Sequence, residues 1–561
     1  MGNEITGVAV VFGLAATLSW PLGRYISGVF RGTSGRFTVF TVPERLIFRF
    51  CKIDPSAGMD WKQNMKAMLS ANILFFFAAF FLLLFQGVIP FWNPGRLGGW
   101  DPILAFNTAV SFVTNTNLQH YAGETDAAYF TQLVVFCWLQ FVSAGTGIAV
   151  CGLLFQGLSG DTGSNIGNFY SLLVRSCVRI LLPLAVILSA GLSLCGTVSD
   201  FGGVREVHTL ENRMQQVAGG PAAPMIAIKQ LGTNGGGFFG ANSAHPFENP
   251  DYLSNMLENI AILLLPMALV FAFGFYLKRK RAAILFFSIM TALFLAFTAV
   301  SVGQEVTGSA SVPESGLLPG PNLEGKEMRF GPVASAFWAV STTSTSNGSV
   351  NSMHDSHTAL SGGVLLLDMF INALYGGVGV GFINFFVFVV VAVFISGQMI
   401  GRTPDLFGKK LEAREIKIAA LVVILHPLLI LCGTAAACLA SSHQGWLNNP
   451  GFHGFSEMMY EFTSAAANNG SGFEGLHDNT PFWNLATGVI MLFGRFLPII
   501  GPLAIAGALS VKKAVPASSG SLKIESMAFG AVLTAVILIV AALAFFPALA
   551  LGPVAEYFST L

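Results

Sequence analysis

Pro224-Met225-Ile226-Ala227-Ile228-Lys229-Gln230-Leu231, followed by Gly232-Thr233-Asn234-Gly235-Gly236-Gly237-Phe238-Phe239, is the stretch that decides how this chain folds. The first part is a mostly apolar half-helix of about 12 Å at ~1.5 Å per residue, far short of a ~30 Å hydrocarbon core. A helix that short can only dip into a bilayer and return. Glycine then tolerates backbone angles closed to other residues and removes the side chain. Irregular backbone at membrane depth is allowed only where protein or a water-filled cavity surrounds it. The segment therefore reads as a pore helix followed by an extended loop.

Three further stretches repeat the pattern. Ile103–Val113 precedes Thr114-Asn115-Thr116-Asn117, and Val333–Thr343 precedes Thr345-Ser346-Asn347-Gly348-Ser349. Phe455–Ala467 precedes Asn468-Asn469-Gly470-Ser471-Gly472. Alignment puts Asn117, Gly235, Gly348 and Gly470 in one column and Asn115, Thr233, Ser346 and Asn468 in another. Thr116, Asn234, Asn347 and Asn469 lie between them. One Asn/Gly cluster alone is an ordinary surface turn. Four at matching positions, each between a half-helix and a full span, form an internal repeat. None of the clusters holds a carboxylate, which a divalent-cation site would recruit. Neutral oxygens around one axis are how potassium-selective filters replace a hydration shell. The candidate potassium ligands are Thr114, Asn115, Thr116 and Asn117; Gly232, Thr233, Asn234 and Gly235; Thr345, Ser346, Asn347 and Gly348; and Asn468, Asn469 and Gly470.

The rest of the chain agrees with a membrane setting. Its 561 residues are 53% hydrophobic and 10% charged, whereas a soluble domain carries about 25% charged residues. A formal net charge of zero and the lack of a long basic run argue against nucleic-acid binding. Apolar runs predict ten spans near 5–22, 68–90, 130–157, 172–198, 254–277, 282–303, 364–397, 415–440, 483–509 and 526–549. The first lacks a basic leader and an obvious cleavage site, so it reads as a retained span. Of the 29 Lys and Arg, only Arg96, Arg205, Arg213, Lys229, Lys326 and Arg329 fall on one side, and Arg495 lies in a span. The others, including the Lys278–Arg281 hairpin, fall opposite. The positive-inside rule then puts both termini outside. The fold class expected is an all-α polytopic membrane protein of four helix–pore-loop–helix repeats about a pseudo-fourfold axis, with one extra helix at each end. The boundaries are 1–67 for the first helix and a basic loop, 68–158, 159–280, 281–400 and 401–511 for the repeats, and 512–561 for the last helix.

Other features carry less. The seven cysteines show no CxxC or Cys/His zinc spacing, so neither a disulfide framework nor a cysteine metal site is expected. His354, Asp355 and His357 bring metal-ligand types into one loop, but without a further ligand nearby they read as a loop that either supports the third filter or is simply solvated. Span seven, at roughly 51 Å if straight, is too long for the bilayer. Gly376, Gly377, Gly379 and Gly381 can break it, either as a candidate gate under the filter or as a face for close helix packing. Arg495 can face an inner vestibule or pair with another helix, and Gln119 can brace the first loop or line the outer vestibule.

The run from Leu231 to Phe239, continued by Ala241-Asn242-Ser243-Ala244-His245-Pro246-Phe247-Glu248-Asn249-Pro250, resembles the signature of the KdpA family. These are the potassium-binding subunits of the bacterial Kdp potassium-importing ATPase. Phe112–Asn117, Ile400-Gly401-Arg402-Thr403-Pro404 and Gly454-Phe455-Ser456-Glu457 are similar to it too, and the resemblance spans essentially the whole chain. It implies the superfamily fold of potassium transporters and a complex with KdpB, KdpC and KdpF in the bacterial inner membrane. It also implies capture of external K+ by this chain and delivery through an intramembrane tunnel to KdpB, which hydrolyses ATP. The family pattern implies a glutamate four residues before Gly376; this chain has Asn372, with Asp368 one turn earlier.

No Walker-type GxxxxGK[ST] and no Asp-Lys-Thr-Gly phosphorylation motif occurs, so the chain is expected to be a non-catalytic subunit that binds no nucleotide. The alternative is an autonomous potassium channel or ion-coupled transporter of the same superfamily, which would pass ions without ATP or partners.

Overall fold

In the computed structural model, ten helices among the described residues are long and apolar enough to cross a membrane. The structure describes residues 2–33, 40–159, 163–308, 320–401, 403–441, 445–513 and 523–559. Arg36 and Arg402, two of the bases used to orient the chain, lie outside them. Eight of the ten predicted spans match helices to within a few residues, apart from the far end of the first, which runs on to Phe30 past Arg24; the second, expected at 68–90, is Trp61–Leu84, six to seven residues earlier. A basic residue near the end of a helix can reach the interface with its head while its stem stays in apolar surroundings. Arg24 therefore does not mark a helix end.

Span seven differs. It is two helices, Ala359–Ile371 and Val380–Ile400, joined by an irregular segment. Asn372, Tyr375, Gly376 and Gly379 in that segment all have positive φ. Such angles cannot continue an α-helix, so the chain breaks there.

Four short helices lie before the four clusters: Pro102–Val113, Ala222–Leu231, Gly331–Ser344 and Phe452–Ala467. The first starts sharply because Asp101 Oδ1 accepts hydrogen bonds from the Ile103 and Leu104 amides, with Pro102 in the first turn. All four are enclosed by the full spans. The span Tyr252–Tyr276 is 78% buried within the protein over its most apolar window, against 17% for Glu4–Phe30 and Ala413–Ala440. The least buried spans present their apolar surface outward, where only a hydrocarbon solvent suits them.

Several elements went unpredicted, two of them substantial. An amphipathic helix, Thr41–Phe50, follows the first span, and its Glu44 is paired with Arg175 and Arg179. An antiparallel hairpin, Val204–His208 with Met214–Ala218, projects from the long connection before the second pore helix.

Candidate functional site

The four clusters share one backbone geometry. In the first polar column, Asn115, Thr233, Ser346 and Asn468 have φ of 65°, 45°, 46° and 52°. Two residues on, Asn117, Gly235, Gly348 and Gly470 have φ of 55°, 97°, 83° and 104°. Both columns aligned in the sequence therefore occupy the left-handed region in all four repeats. Fourteen of the fifteen candidate ligand residues are buried, and Gly470 is half-buried.

Glycine is required where the loops meet. A Cβ on Gly235 would stand on the carbonyl oxygen of Asn347, one on Gly348 on that of Asn469, and one on Gly470 on that of Thr116. Each glycine thus lies against a carbonyl from the next repeat, in ring order. The first repeat departs from this. Asn117 carries a side chain, and the room comes from Gly236, where a Cβ would stand 2.8 Å from the Asn117 Cβ. Both amide atoms of Asn117 are buried without a hydrogen-bond partner.

Most of the polar side chains hold the ring together. Asn115 Nδ2 donates to the carbonyl of Thr233 at 2.8 Å, and Asn115 Oδ1 accepts from Asn234 Nδ2 at 2.7 Å. Asn347 Nδ2 reaches the Gln230 carbonyl at 3.4 Å, and Asn469 Nδ2 the Thr342 carbonyl at 2.9 Å. Asn468 Nδ2 closes the circle on Thr116 Oγ1 at 2.9 Å. The sequence suggested the loops' backbone carbonyls and these side chains alike as neutral oxygens for an ion. The side chains' engagement with neighbouring loops leaves the backbone carbonyls as the main free acceptors.

Charged groups surround this neutral ring. Lys229, at the end of the second pore helix, donates to Glu248 Oε2 at 2.6 Å, Ser243 Oγ at 2.7 Å and Asn242 Oδ1 at 2.9 Å. Glu248 accepts the Phe239 amide with its other oxygen, and Asn242 Nδ2 donates to the Gly235 carbonyl. Lys326 meets Glu305 at 2.7 Å near the third loop, and both side chains are fully buried. His120, just after the first loop, meets Asn484 Oδ1 at 2.8 Å and Glu461 Oε1 at 3.1 Å. Burial alone would lower its pKa; Asp478 and Glu461 overcome that and raise it to about 9. Burial followed by the Lys326 charge depresses His357, and burial with His357 and Lys326 depresses His354, so both rings are neutral. Gln119 braces the first loop against the second, accepting the Gly237 amide at 2.8 Å.

The broken segment of span seven lies directly beside the loops. The Gly376 amide donates to the Ser344 carbonyl at 2.7 Å, and the Val378 amide to Thr233 Oγ1 at 2.8 Å. A Cβ on Gly379 would stand on the Gly147 carbonyl, and one on Gly381 on the Gly376 Cα. Gly377 alone has space, with its nearest neighbours 3.7–3.9 Å from a Cβ. Asp368 accepts from Thr343 Oγ1 at 2.8 Å and Ser344 Oγ at 2.5 Å, and Asn372 Oδ1 accepts from Ser346 Oγ at 3.0 Å. The carboxylate thus supports the third loop from the preceding turn. Ser346, Asn372, Gly377, Asn384, Asn468 and Arg495 line a small space under the filter loops. Asn372, Asn384 and Gly494 also line a neighbouring cavity of about 310 Å³ among spans seven to ten. Arg495 combines both roles suggested for it: it lines that space and points a guanidinium nitrogen at the Ser143 carbonyl, 3.4 Å away.

The sequence reading missed the charged shell. A lone lysine in an apolar half-helix was its one local signal; Glu248, Glu305 and Glu461 are joined to their partners only by the fold.

A family model described as "Potassium-transporting ATPase A subunit", KdpA, matches residues 9–558. A potassium-transporting ATPase potassium-binding subunit from Flavobacterium psychrophilum is 51% identical, covering all of both chains. Those from Phocaeicola vulgatus and Alicyclobacillus acidocaldarius are 48% and 46% identical, the first covering 100% of both chains and the second 98% of this chain and 99% of its own. Among solved structures, the potassium transporter TrkH from Vibrio parahaemolyticus superposes with a TM-score of 0.52 at 15% identity, over 90% of this chain and 98% of its own. At that identity the likeness is one of fold.

Proposed function

The chain belongs to the family of potassium-transporting ATPase A subunits, KdpA, and from that membership we propose that it is the potassium-binding, ion-selecting subunit of an ATP-driven importer. The observation that carries the reading is the ring of four left-handed loops, closed by glycine against carbonyl and free of carboxylates. Such a ring suits a monovalent cation that exchanges its water for neutral oxygens. In this reading the Thr116, Asn347 and Asn469 carbonyls, with their repeat-two counterpart at Asn234, face the ion. The unpartnered Asn117 amide is an additional neutral ligand.

The ion does not continue straight through. Residues 372–379 lie against the loops, and a cavity among spans seven to ten shares Asn372, Asn384 and Gly494 with the small space beside them. Lateral delivery to an ATP-hydrolysing KdpB subunit is the route this arrangement supports, with KdpC and KdpF completing the assembly. The chain is the non-catalytic member, carries K+ rather than a nucleotide, and lies in the bacterial inner membrane with both termini outside, as the distribution of bases favours.

The test is co-purification after mild detergent extraction, followed by ATPase measurement on the complex. K+-stimulated hydrolysis that Gly235→Asp removes is the expected result, since that change puts a charge and a Cβ on the Asn347 carbonyl. Ion flux through the reconstituted chain alone, without ATP or partners, would instead establish the autonomous channel.

A further inference from the structure

His354, Asp355 and His357 are sequence neighbours, but the fold separates them. His354 Nδ1 faces Tyr460 at 2.9 Å, and His357 is held between Ser352 and Ser361. Asp355 turns the other way, toward the start of the fourth pore helix. There its Oδ1 lies 2.8 Å from His453 Nε2, and one ligand atom each from Asp355, His453 and Glu457 falls within 4.8 Å of the others. The opposite ring nitrogen, His453 Nδ1, is 2.8 Å from Glu556 in the last helix.

Two further observations point to a ligand. Glu457 is fully buried, yet its Oε2 has no hydrogen-bond partner. A buried carboxylate oxygen left unpaired is costly, and a bound cation is one of the groups that would satisfy it. Gly475 supplies the space: a Cβ there would stand on Glu457 Oε1 and 2.7 Å from Asp355 Oδ2. Among the described residues no lysine or arginine pairs with these acids; Asn449 alone donates to both, at 3.2 and 3.1 Å.

We propose that His453, Asp355 and Glu457 form a binding site for a divalent transition cation, with Glu556 orienting the imidazole. One nitrogen and two carboxylate oxygens, with a fourth position left to water, are a ligand set that suits Zn2+. Magnesium and calcium prefer oxygen alone. The Glu556–His453 contact is the carboxylate–histidine–metal arrangement that fixes a ligand's tautomer. With bonds of ~2.0–2.1 Å, tetrahedral ligands lie about 3.3 Å apart, so the three groups need to adjust by only about 1–1.5 Å. His453 lies between two carboxylates, Asp355 and Glu556, and Glu457 and the nearby Glu474 are the other acids around it. Its bonds would tie the third-filter loop, the fourth pore helix and the last helix together. This site stands apart from the potassium reading and does not depend on it.

The experiment strips the full-length chain with chelator, titrates it with Zn2+ alone near neutral pH, and measures retained metal. One ion per chain is expected, with no displacement by excess Mg2+ or Ca2+. Crystals measured at the zinc edge should show anomalous density between His453 and Glu457. His453→Gln should weaken retention by about 100-fold or more, and Glu556→Gln by roughly 10- to 100-fold. Should His453→Gln not fold, Glu556→Gln, which keeps every ligand, decides the matter. Zn2+ absent from the folded wild-type chain, or retained equally by the variants, overturns the site and leaves a histidine bridging two acids.

Discussion

The ring of pore loops and the shell around it are equally hidden from solvent, yet they are built from opposite chemistry. The ring holds no ionisable side chain: its residues are Gly, Asn, Thr and Ser. A few ångströms away, Lys229–Glu248 and Lys326–Glu305 are ion pairs with no exposure at all. The difference follows from what each part must do. A fixed charge in the ring would hold a cation too tightly or repel it, whereas neutral carbonyls compete with water on nearly even terms. Loops in left-handed conformations are strained and need external support. Buried charge pairs, anchored by several hydrogen bonds each, define one geometry because breaking them is so costly.

The largest expected effect breaks the ring and leaves the shell alone. Gly470→Ala puts a methyl on the Thr116 carbonyl, at a φ of 104° that L-residues rarely adopt. Strain of about 3 kcal/mol, or an outward shift of the loop, should cut K+-stimulated ATPase by roughly 100-fold. The chain should still extract as a monodisperse species. A variant with normal activity at low K+ would show that the loops need not close against one another.

Breaking the shell should act on folding rather than on ion choice. Lys229→Met leaves Glu248 buried and unpaired, which costs about 3–5 kcal/mol. Thermal unfolding in detergent should fall sharply, and Lys229→Met with Glu248→Gln should recover part of the loss. Selectivity for K+ over Na+ in whatever protein remains folded should be unchanged. A selectivity change without loss of stability would mean that the shell charge reaches the ion.

A smaller effect comes from pH. His120 titrates near 9 in the folded protein, above its ordinary value of 6.5. Its pairing with Glu461 and Asp478 therefore contributes fully below about 6.5 and is lost as pH rises through 9. The full contribution is at most ~3 kcal/mol. The melting temperature should drop between these pH values, and His120→Gln should flatten that step. A wild-type profile without the step would remove the charge from this brace.

Much of the ring was legible because its rules are local. Half-helix length, the glycine column and the polar column each follow from dihedral and membrane constraints on a few neighbouring residues, but the positive φ of the polar column, at Asn115, Thr233, Ser346 and Asn468, had no signal in the sequence. The shell was not legible, because Glu305 and Lys326 become partners only after the chain has folded. Span seven lies between these cases. Its excess length and glycines announced a break, but Asn372 and Tyr375 also adopt positive φ, and no propensity would have chosen a tyrosine for that. His354, Asp355 and His357 read as a loop rather than as one metal cluster, and the turn at 354–356 sends their side chains to different partners.

The smallest effect sharpens the comparison within the ring itself. Asn117 stands in the glycine column with a φ of 55°, an angle asparagine tolerates better than most residues. Its Cβ is accommodated because Gly236 has none. Asn117→Gly therefore restores the column found in the other three repeats and removes one unpaired amide. Stability should change by no more than about 1 kcal/mol, and K+ affinity by about threefold or less if backbone carbonyls dominate the site. Gly236→Ala alone should be worse, since its methyl would lie 2.8 Å from the Asn117 Cβ. The double variant should recover most of that loss, giving a positive coupling of the kind contacting residues show. If Asn117→Gly instead abolished K+ binding, the amide would be an essential ligand and the ring would be asymmetric in function as well as in sequence.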